Sequence, residues 1–242
     1  MGLKKFFIGD YSEIGLHNKS SREKWLKKTL AEVPANQTLL DAGAGELKYK
    51  SYCEHLKYVS QDFAQYDGKG DGIGIQTSSW DNSKIDLVSD IASIPVADAS
   101  FDNILCSEVF EHIPHPVEAL KEFSRILKPG GKLILTAPFC SLTHFAPYHF
   151  YTGFNSYFYK KWMTDFNFEI IEMTPNGNYY EFLSQELLYS SEVSCNYSKL
   201  KMGLKEKIAQ RILLAFYKKA SIQDAGSKEL LNFGFHILAI KK

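Results

Sequence analysis

At 242 residues, 45% of them hydrophobic, the chain is long enough to bury one large core, and a single domain spanning 1–242 is expected. Lys plus Arg and Asp plus Glu both total 28. With no net field to draw a phosphate backbone, no nucleic-acid partner is expected. Cys53, Cys106, Cys140 and Cys195 form no CxxC pair and no Cys/His cluster at zinc spacing, so they read as free thiols in a reducing compartment. Asp10 and Glu13 interrupt the N-terminal apolar run before a signal peptide or span can form. Phe6 stands where a myristoylation signal needs Ser or Thr, so a cytoplasmic protein is expected.

In chain order, Trp25, Leu26, Leu30 and Val33 recur at helical spacing from Ser20 or Ser21 until Pro34. Residues 38–41 form a short apolar strand running into Ala-Gly-Ala-Gly. Residues 58–62 and 85–90 read as second and third strands, each ending in an acid, and 101–106 as a fourth. An amphipathic helix over 116–127 is closed by Lys128-Pro129-Gly130-Gly131, and 132–137 makes a fifth strand. After an aromatic, His-containing loop come a helix over 154–166, a sixth strand over 168–173 and a final strand over 233–240. Residues 176–231 between the last two strands are too many for a plain loop and read as a helical insertion. The alternation predicts a doubly wound, Rossmann-like α/β fold with a seven-stranded, mainly parallel sheet and helices on both faces. Within it the cofactor-binding core would span about 21–138, the acceptor-side loop and strand 139–175, and the final strand 232–242.

A strand that ends in Asp41 and turns through Gly43 and Gly45 into a helix brings backbone close to a ligand at the carboxyl edge of the sheet. The dinucleotide version of this turn needs a third glycine where the chain has Lys48, which counts against a nicotinamide cofactor. Asp62 ends the next strand at the distance where such folds place an acid on ribose hydroxyls, although a solvated turn residue reads equally well from the residues alone.

Three segments in order resemble class I S-adenosylmethionine-dependent methyltransferases of the type 11 kind, from about Ser21 to Met173. They are Leu-Leu-Asp-Ala-Gly-Ala-Gly at 39–45, Asp90-Ile91 with Ile94-Pro95-Val96 and Ser100-Phe101-Asp102, and Cys106-Ser107-Glu108-Val109-Phe110-Glu111-His112-Ile113 running on to Leu127-Lys128-Pro129-Gly130-Gly131. The resemblance implies S-adenosylmethionine as cofactor. Its methionine part would face Asp41, Ala42, Gly43, Ala44 and Gly45, its ribose Asp62 beside Phe63, and its adenine Asp90 and Ile91, with Cys106, Ser107 and Glu108 beneath the sulfonium. It also implies methyl transfer, here to a small-molecule or glycan-like acceptor, with a hydroxyl oxygen preferred because of the histidine and tyrosine loop after the fifth strand. An amine acceptor and a non-catalytic adenosine-binding module are the alternatives.

Glu108, Glu111 and His112 could offer oxygens and an imidazole to a divalent ion, and some quinone-biosynthetic O-methyltransferases with a similar run use a metal. The favoured reading is that Glu111 and His112 order the loop after the fourth strand, and no metal is expected. His144 and His149, directly after the fifth strand, are the candidate bases for a hydroxyl acceptor, against an equal reading as hydrogen-bonded loop residues. Leu204, Ile208, Ile212, Ala215 and Phe216 share one helical face flanked by Lys205, Lys207, Arg211, Lys218 and Lys219. This face is expected to pack on its own domain as a lid, with weak membrane-surface contact of the 199–220 helix as the other reading.

Overall fold

The computed structural model describes residues 13–77 and 79–242, so the N-terminal signal and acylation readings lie outside the described residues. The chain divides into two compact units, one of residues 1–21 with 175–233 and one of 22–174 with 234–242.

In the larger unit, period-two alternation along the strands sorts side chains onto the two faces of a seven-stranded sheet. Strands β1 (Thr38–Ala42), β2 (Lys57–Asp62), β3 (Leu87–Val88), β4 (Phe101–Ser107), β5 (Leu127–Pro138), β6 (Phe168–Asn176) and β7 (Gly234–Lys241) lie in the order β3-β2-β1-β4-β5-β7-β6. Neighbours from β3 to β5 pair in parallel, and β7 runs antiparallel to β5. Leu39, Leu105 and Ile134 point to one face, where Leu26 and Leu30 of helix α1 (Asn18–Ala31) cover them. Leu40, Ile104, Leu133 and Leu135 point to the other, against helices α2 (Pro116–Ile126) and α3 (Ser156–Asp165). Pro116 opens α2 where no helical N–H partner is required, and Ala119, Leu120, Phe123 and Ile126 are its buried stripe. The side chain of Asn155 caps α3, accepting from the N–H groups of Tyr157 and Phe158.

The expected mainly parallel α/β sheet is therefore present, with three local departures. No α-helix follows β1: Leu47 adopts a left-handed backbone (φ 60°), which stops a helix from propagating, and only a 3₁₀ turn at Lys50–Tyr52 forms. The third strand shrinks to two residues because the Asp86 carboxylate takes the Ser60 N–H (2.9 Å) and hydroxyl (2.7 Å), the place of a strand partner. Lys128-Pro129-Gly130-Gly131 does not lie beyond the helix as a cap: α2 stops at Ile126, and Leu127 already pairs with Phe101.

In the smaller unit the insertion forms helices α4 (Tyr179–Val193) and α5 (Leu204–Ile222). Asn178 caps α4 by accepting from Tyr180 and Glu181 N–H and donates to Ser221 Oγ (2.9 Å), tying the two helices together. The expected packing face of α5 is not buried: Leu204, Ile208, Ile212 and Phe216 are exposed, and the buried residue of this helix is Leu214. The capping and cross-helix bonds from Asn178 and Gln210 (to Leu187 O, 2.7 Å) fix the helix pair with that stripe outward. Among the described residues no helix is long and apolar enough to cross a membrane.

Candidate active site

Because β1, β2 and β4 run parallel, their carboxyl ends converge on one edge, and a cavity of about 430 Å³ opens there. One wall is backbone. Gly43 N–H and Ala44 N–H donate to Gln61 O (2.8 and 2.9 Å), and Gly45 N–H donates to the Asp62 carboxylate (2.9 Å). Gly43 has φ +78°, and a Cβ there would sit 2.5 Å from the Val109 side chain; one at Gly45 would sit 2.9 Å from the Trp80 ring. The turn therefore requires glycine at both positions. The second Asp62 oxygen accepts from Ala64 N–H (2.8 Å), which fixes the carboxylate beside Phe63 and Gln61. Gln61 Nε2 donates to Ser89 O (2.7 Å), while its buried Oε1 has no protein partner.

The cavity touches six of the residues expected on the cofactor, namely Gly43, Asp62, Phe63, Asp90, Ile91 and Glu108. Asp41, Ala42, Ala44, Gly45, Cys106 and Ser107 stand behind this wall instead. Asp41 is buried, accepting from Tyr58 OH (2.6 Å), and burial lifts its pKa to about 7. Cys106 is fully buried, which pushes its thiol up and leaves it no nucleophile. Ser107 Oγ binds Thr136 Oγ1 (2.9 Å). Glu108 is held by Arg22 (2.7 Å) and the Thr136 hydroxyl (2.9 Å).

The opposite wall comes from two loops, the aromatic, His-containing loop after β5 and a second for which the sequence offers no motif. Tyr66 and Trp80 of the loop over 63–84 meet Phe145 of the loop after β5, with ring centroids 4.9 to 5.4 Å apart. Phe63 meets Tyr148 edge-on at 4.9 Å. Backbone bonds staple the loops: Ile75 N–H to Thr143 O (3.1 Å) and Phe145 N–H to Ile75 O (2.9 Å). Neither irregular loop has a periodicity that announces which of its aromatics faces inward, so nothing in the sequence singles out Tyr66 and Trp80.

The histidines cluster, but not as expected. His112, His144 and His149 lie with ring centroids 4.6 to 5.9 Å apart, and of the three only His112 lines the cavity. His112 Nδ1–H donates to Tyr148 O (2.6 Å) and His144 Nδ1–H to Leu142 O (2.8 Å), while His149 Nε2 lies 3.2 Å from Ser141 Oγ. Burial, then the neighbouring His144, holds His112 down at about 3; burial also lowers His144 and His149. Burial and the nearby Glu108 push Glu111 well above the usual carboxylate range.

A glycine turn after β1, an acid after β2, a second acid after β3 and a polar loop after β4 stand around one cavity, the arrangement that the class I methyltransferase resemblance implies. Residues 40–135 match the family model described as a methyltransferase domain. A ubiquinone biosynthesis O-methyltransferase from Xanthomonas oryzae pv. oryzae is 36% identical over 63 residues, 26% of this chain and 26% of that protein. A tRNA (carboxymethyluridine(34)-5-O)-methyltransferase from Mus musculus is 28% identical over 131 residues, 52% of this chain and 18% of that protein. The matches thus span about a quarter or less of those relatives' length. A putative methyltransferase from Bacillus halodurans shares the fold, with TM-score 0.51 and 17% identity over 91% of this chain and 96% of that one.

Proposed function

We propose that this protein transfers the methyl group of S-adenosylmethionine to a hydroxyl oxygen of a small-molecule or glycan-like acceptor. The observation that carries the reading is the set of acceptors and the open space around the cavity: side-chain-free Gly43, the fixed Asp62 carboxylate and the unpartnered Gln61 Oε1. These suit a ligand with a ribose diol and an adenine, since both acceptors can take O–H or N–H donors and the glycine leaves room for the chain of the methionine. The cavity volume is that of a small-molecule site.

When bound, S-adenosylmethionine supplies an already activated methyl, so the chain's own task is to bind, align and exclude water. The aromatic wall of Tyr66, Trp80 and Phe145 serves the last two. An acceptor hydroxyl must also lose its proton, and the neutral imidazoles at the cavity's rim provide acceptor nitrogens for it. His112 replaces His144 and His149 as the imidazole in contact with the cavity. The balanced charge of the chain favours a small acceptor over a nucleic acid.

Calorimetry and isotope transfer test the reading together. S-adenosylmethionine should bind, NAD should not, and Asp62→Ala should weaken binding by about 1–3 kcal/mol, roughly 5- to 150-fold. Unchanged affinity in folded Asp62→Ala would remove the proposed cofactor position. Label from the methyl group should enter the small-molecule fraction of a cell extract at an oxygen. Label in RNA, or at nitrogen, would overturn the acceptor class.

A further inference from the structure

We propose that Glu111, His112 and His144 form a site for one divalent transition-metal ion, zinc being the best match. This goes beyond the methyl-transfer reading and does not depend on it; with the ion bound, His112 Nε2 is a ligand and no longer the acceptor of the hydroxyl proton. It also reverses the expectation, drawn from the sequence, that no metal is held here.

The argument starts from the ring nitrogens. A carbonyl oxygen can only accept, so the bonds from His112 to Tyr148 O and from His144 to Leu142 O put a proton on each Nδ1. In each neutral ring Nε2 is then the lone-pair nitrogen. Both Nε2 atoms face the same carboxylate oxygen, Glu111 Oε1, at 3.6 and 4.0 Å. An imidazole whose far N–H is fixed on a backbone carbonyl is the usual outer support of a metal-bound histidine.

Two polar atoms of this group have no protein partner. Glu111 is 1% exposed, and its Oε2, like His112 Nε2, is buried with no hydrogen-bond partner. Two orphaned polar atoms on adjacent residues are costly unless something satisfies both. Among the described residues this is the one group of three metal-capable side chains, with ligand atoms all within 4.8 Å of one another. Ligands at about 2.1 Å in tetrahedral array stand about 3.4 Å apart, so rotation of His144 on its loop closes the set. The two segments are already clamped, because Phe150 N–H and Tyr151 N–H both donate to Glu111 O.

The ligand set is not the Glu108-Glu111-His112 run read from sequence. Glu108 is committed to Arg22 and Thr136, and its place is taken by His144 from a loop 33 positions beyond Glu111. Two imidazoles and one carboxylate suit zinc, iron or manganese and disfavour magnesium, which prefers oxygen. Three protein ligands leave a coordination position open, and His112 borders the cavity. An ion held there supplies Lewis acidity to an oxygen group in the cavity.

The test uses the full chain stripped with a chelator and dialysed, then titrated with Zn(II), Co(II) and Mg(II), following metal content and the visible spectrum of Co(II). About one Zn(II) per chain should bind, Co(II) should give the bands of a nitrogen- and oxygen-ligated low-coordinate ion, and Mg(II) should not compete. His144→Ala, on an accessible loop, should fold as wild type by circular dichroism and bind zinc more than about 100-fold more weakly, beyond the cost of losing an outer-shell partner. Glu108→Gln should retain the stoichiometry. Absence of bound zinc and of a Co(II) spectrum would overturn the proposal, as would undiminished binding in His144→Ala or loss of binding in Glu108→Gln alone. These readouts need neither S-adenosylmethionine nor an acceptor, so they stand apart from any failure of the methyl-transfer reading.

Discussion

At the amino ends of the parallel strands, Asp102 accepts from Thr38 N–H (2.9 Å), the Thr38 hydroxyl (2.8 Å) and Lys128 Nζ (2.6 Å). Burial would raise this carboxyl, but Lys128 and Thr38 outweigh it and hold the pKa at about 2. At the carboxyl ends Asp41 has the Tyr58 hydroxyl as its side-chain donor, and burial lifts it to about 7. Orphaned atoms of Gln61, Glu111 and His112 gather at that same edge, although Asn103 Oδ1 near the amino end also lacks a partner. One end of the sheet satisfies its charges and contributes stability, whereas the other forgoes stability and keeps polar groups available for ligands.

The strongest way to break this contrast is Gly43→Val. A branched side chain at φ +78°, driven into Val109, should abolish S-adenosylmethionine binding and cost about 3–5 kcal/mol of fold stability. Calorimetry and urea unfolding measure the two effects, and an unimpaired variant would mean that the turn is not the cofactor's wall. The paired substitutions Asp41→Asn and Asp102→Asn sharpen it, because their pH profiles should run in opposite directions. Folded Asp41 keeps a proton that the unfolded chain releases between about pH 4 and pH 7, so wild type loses stability as pH rises through that window. Asp41→Asn should therefore gain about 2–4 kcal/mol on wild type at pH 8 and nothing near pH 4. Asp102 contributes stability that is fully present above about pH 4 and lost as pH falls through about 2. Asp102→Asn should cost about 1–2 kcal/mol at pH 7, discounted for partial exposure, and little at pH 2. Urea unfolding across pH tests both, and profiles of the same sign would end the comparison. The smallest effect belongs to Phe145→Ala, which removes ring contacts to Tyr66 and Trp80. Hydrogen exchange should quicken at the Ile75 and Tyr148 amides by the equivalent of about 1 kcal/mol, and stay unchanged at Gly43 and Ala44.

The same contrast explains what could be read from the sequence. The strands and the backbone wall were legible because each couples a short apolar run to a glycine or an acid at a fixed offset, as at Leu40-Asp41 and Gly43. The helix after β1 was over-read, since nothing in Glu46-Leu47-Lys48 announces the positive φ of Leu47. Asp86 was read as part of a strand, whereas its carboxylate substitutes for strand pairing by a contact 26 residues back, at Ser60. Trp80 and the joining of His144 to Glu111 depend on loop paths, which no spacing rule encodes. The apolar stripe of α5 was seen correctly as a stripe, but periodicity does not say which side of a helix is covered, and here it is exposed.

The staple between Ile75, Thr143 and Phe145 joins a loop that faces the proposed donor side to one that faces the proposed acceptor side. Gln76 Nε2 reinforces it by donating to Ala146 O (3.1 Å). Tied in this way, the two loops would open as one door rather than two. Spent donor and finished product would leave through a single opening event, and the pace of the reaction cycle would follow the lifetime of a few backbone hydrogen bonds between the loops.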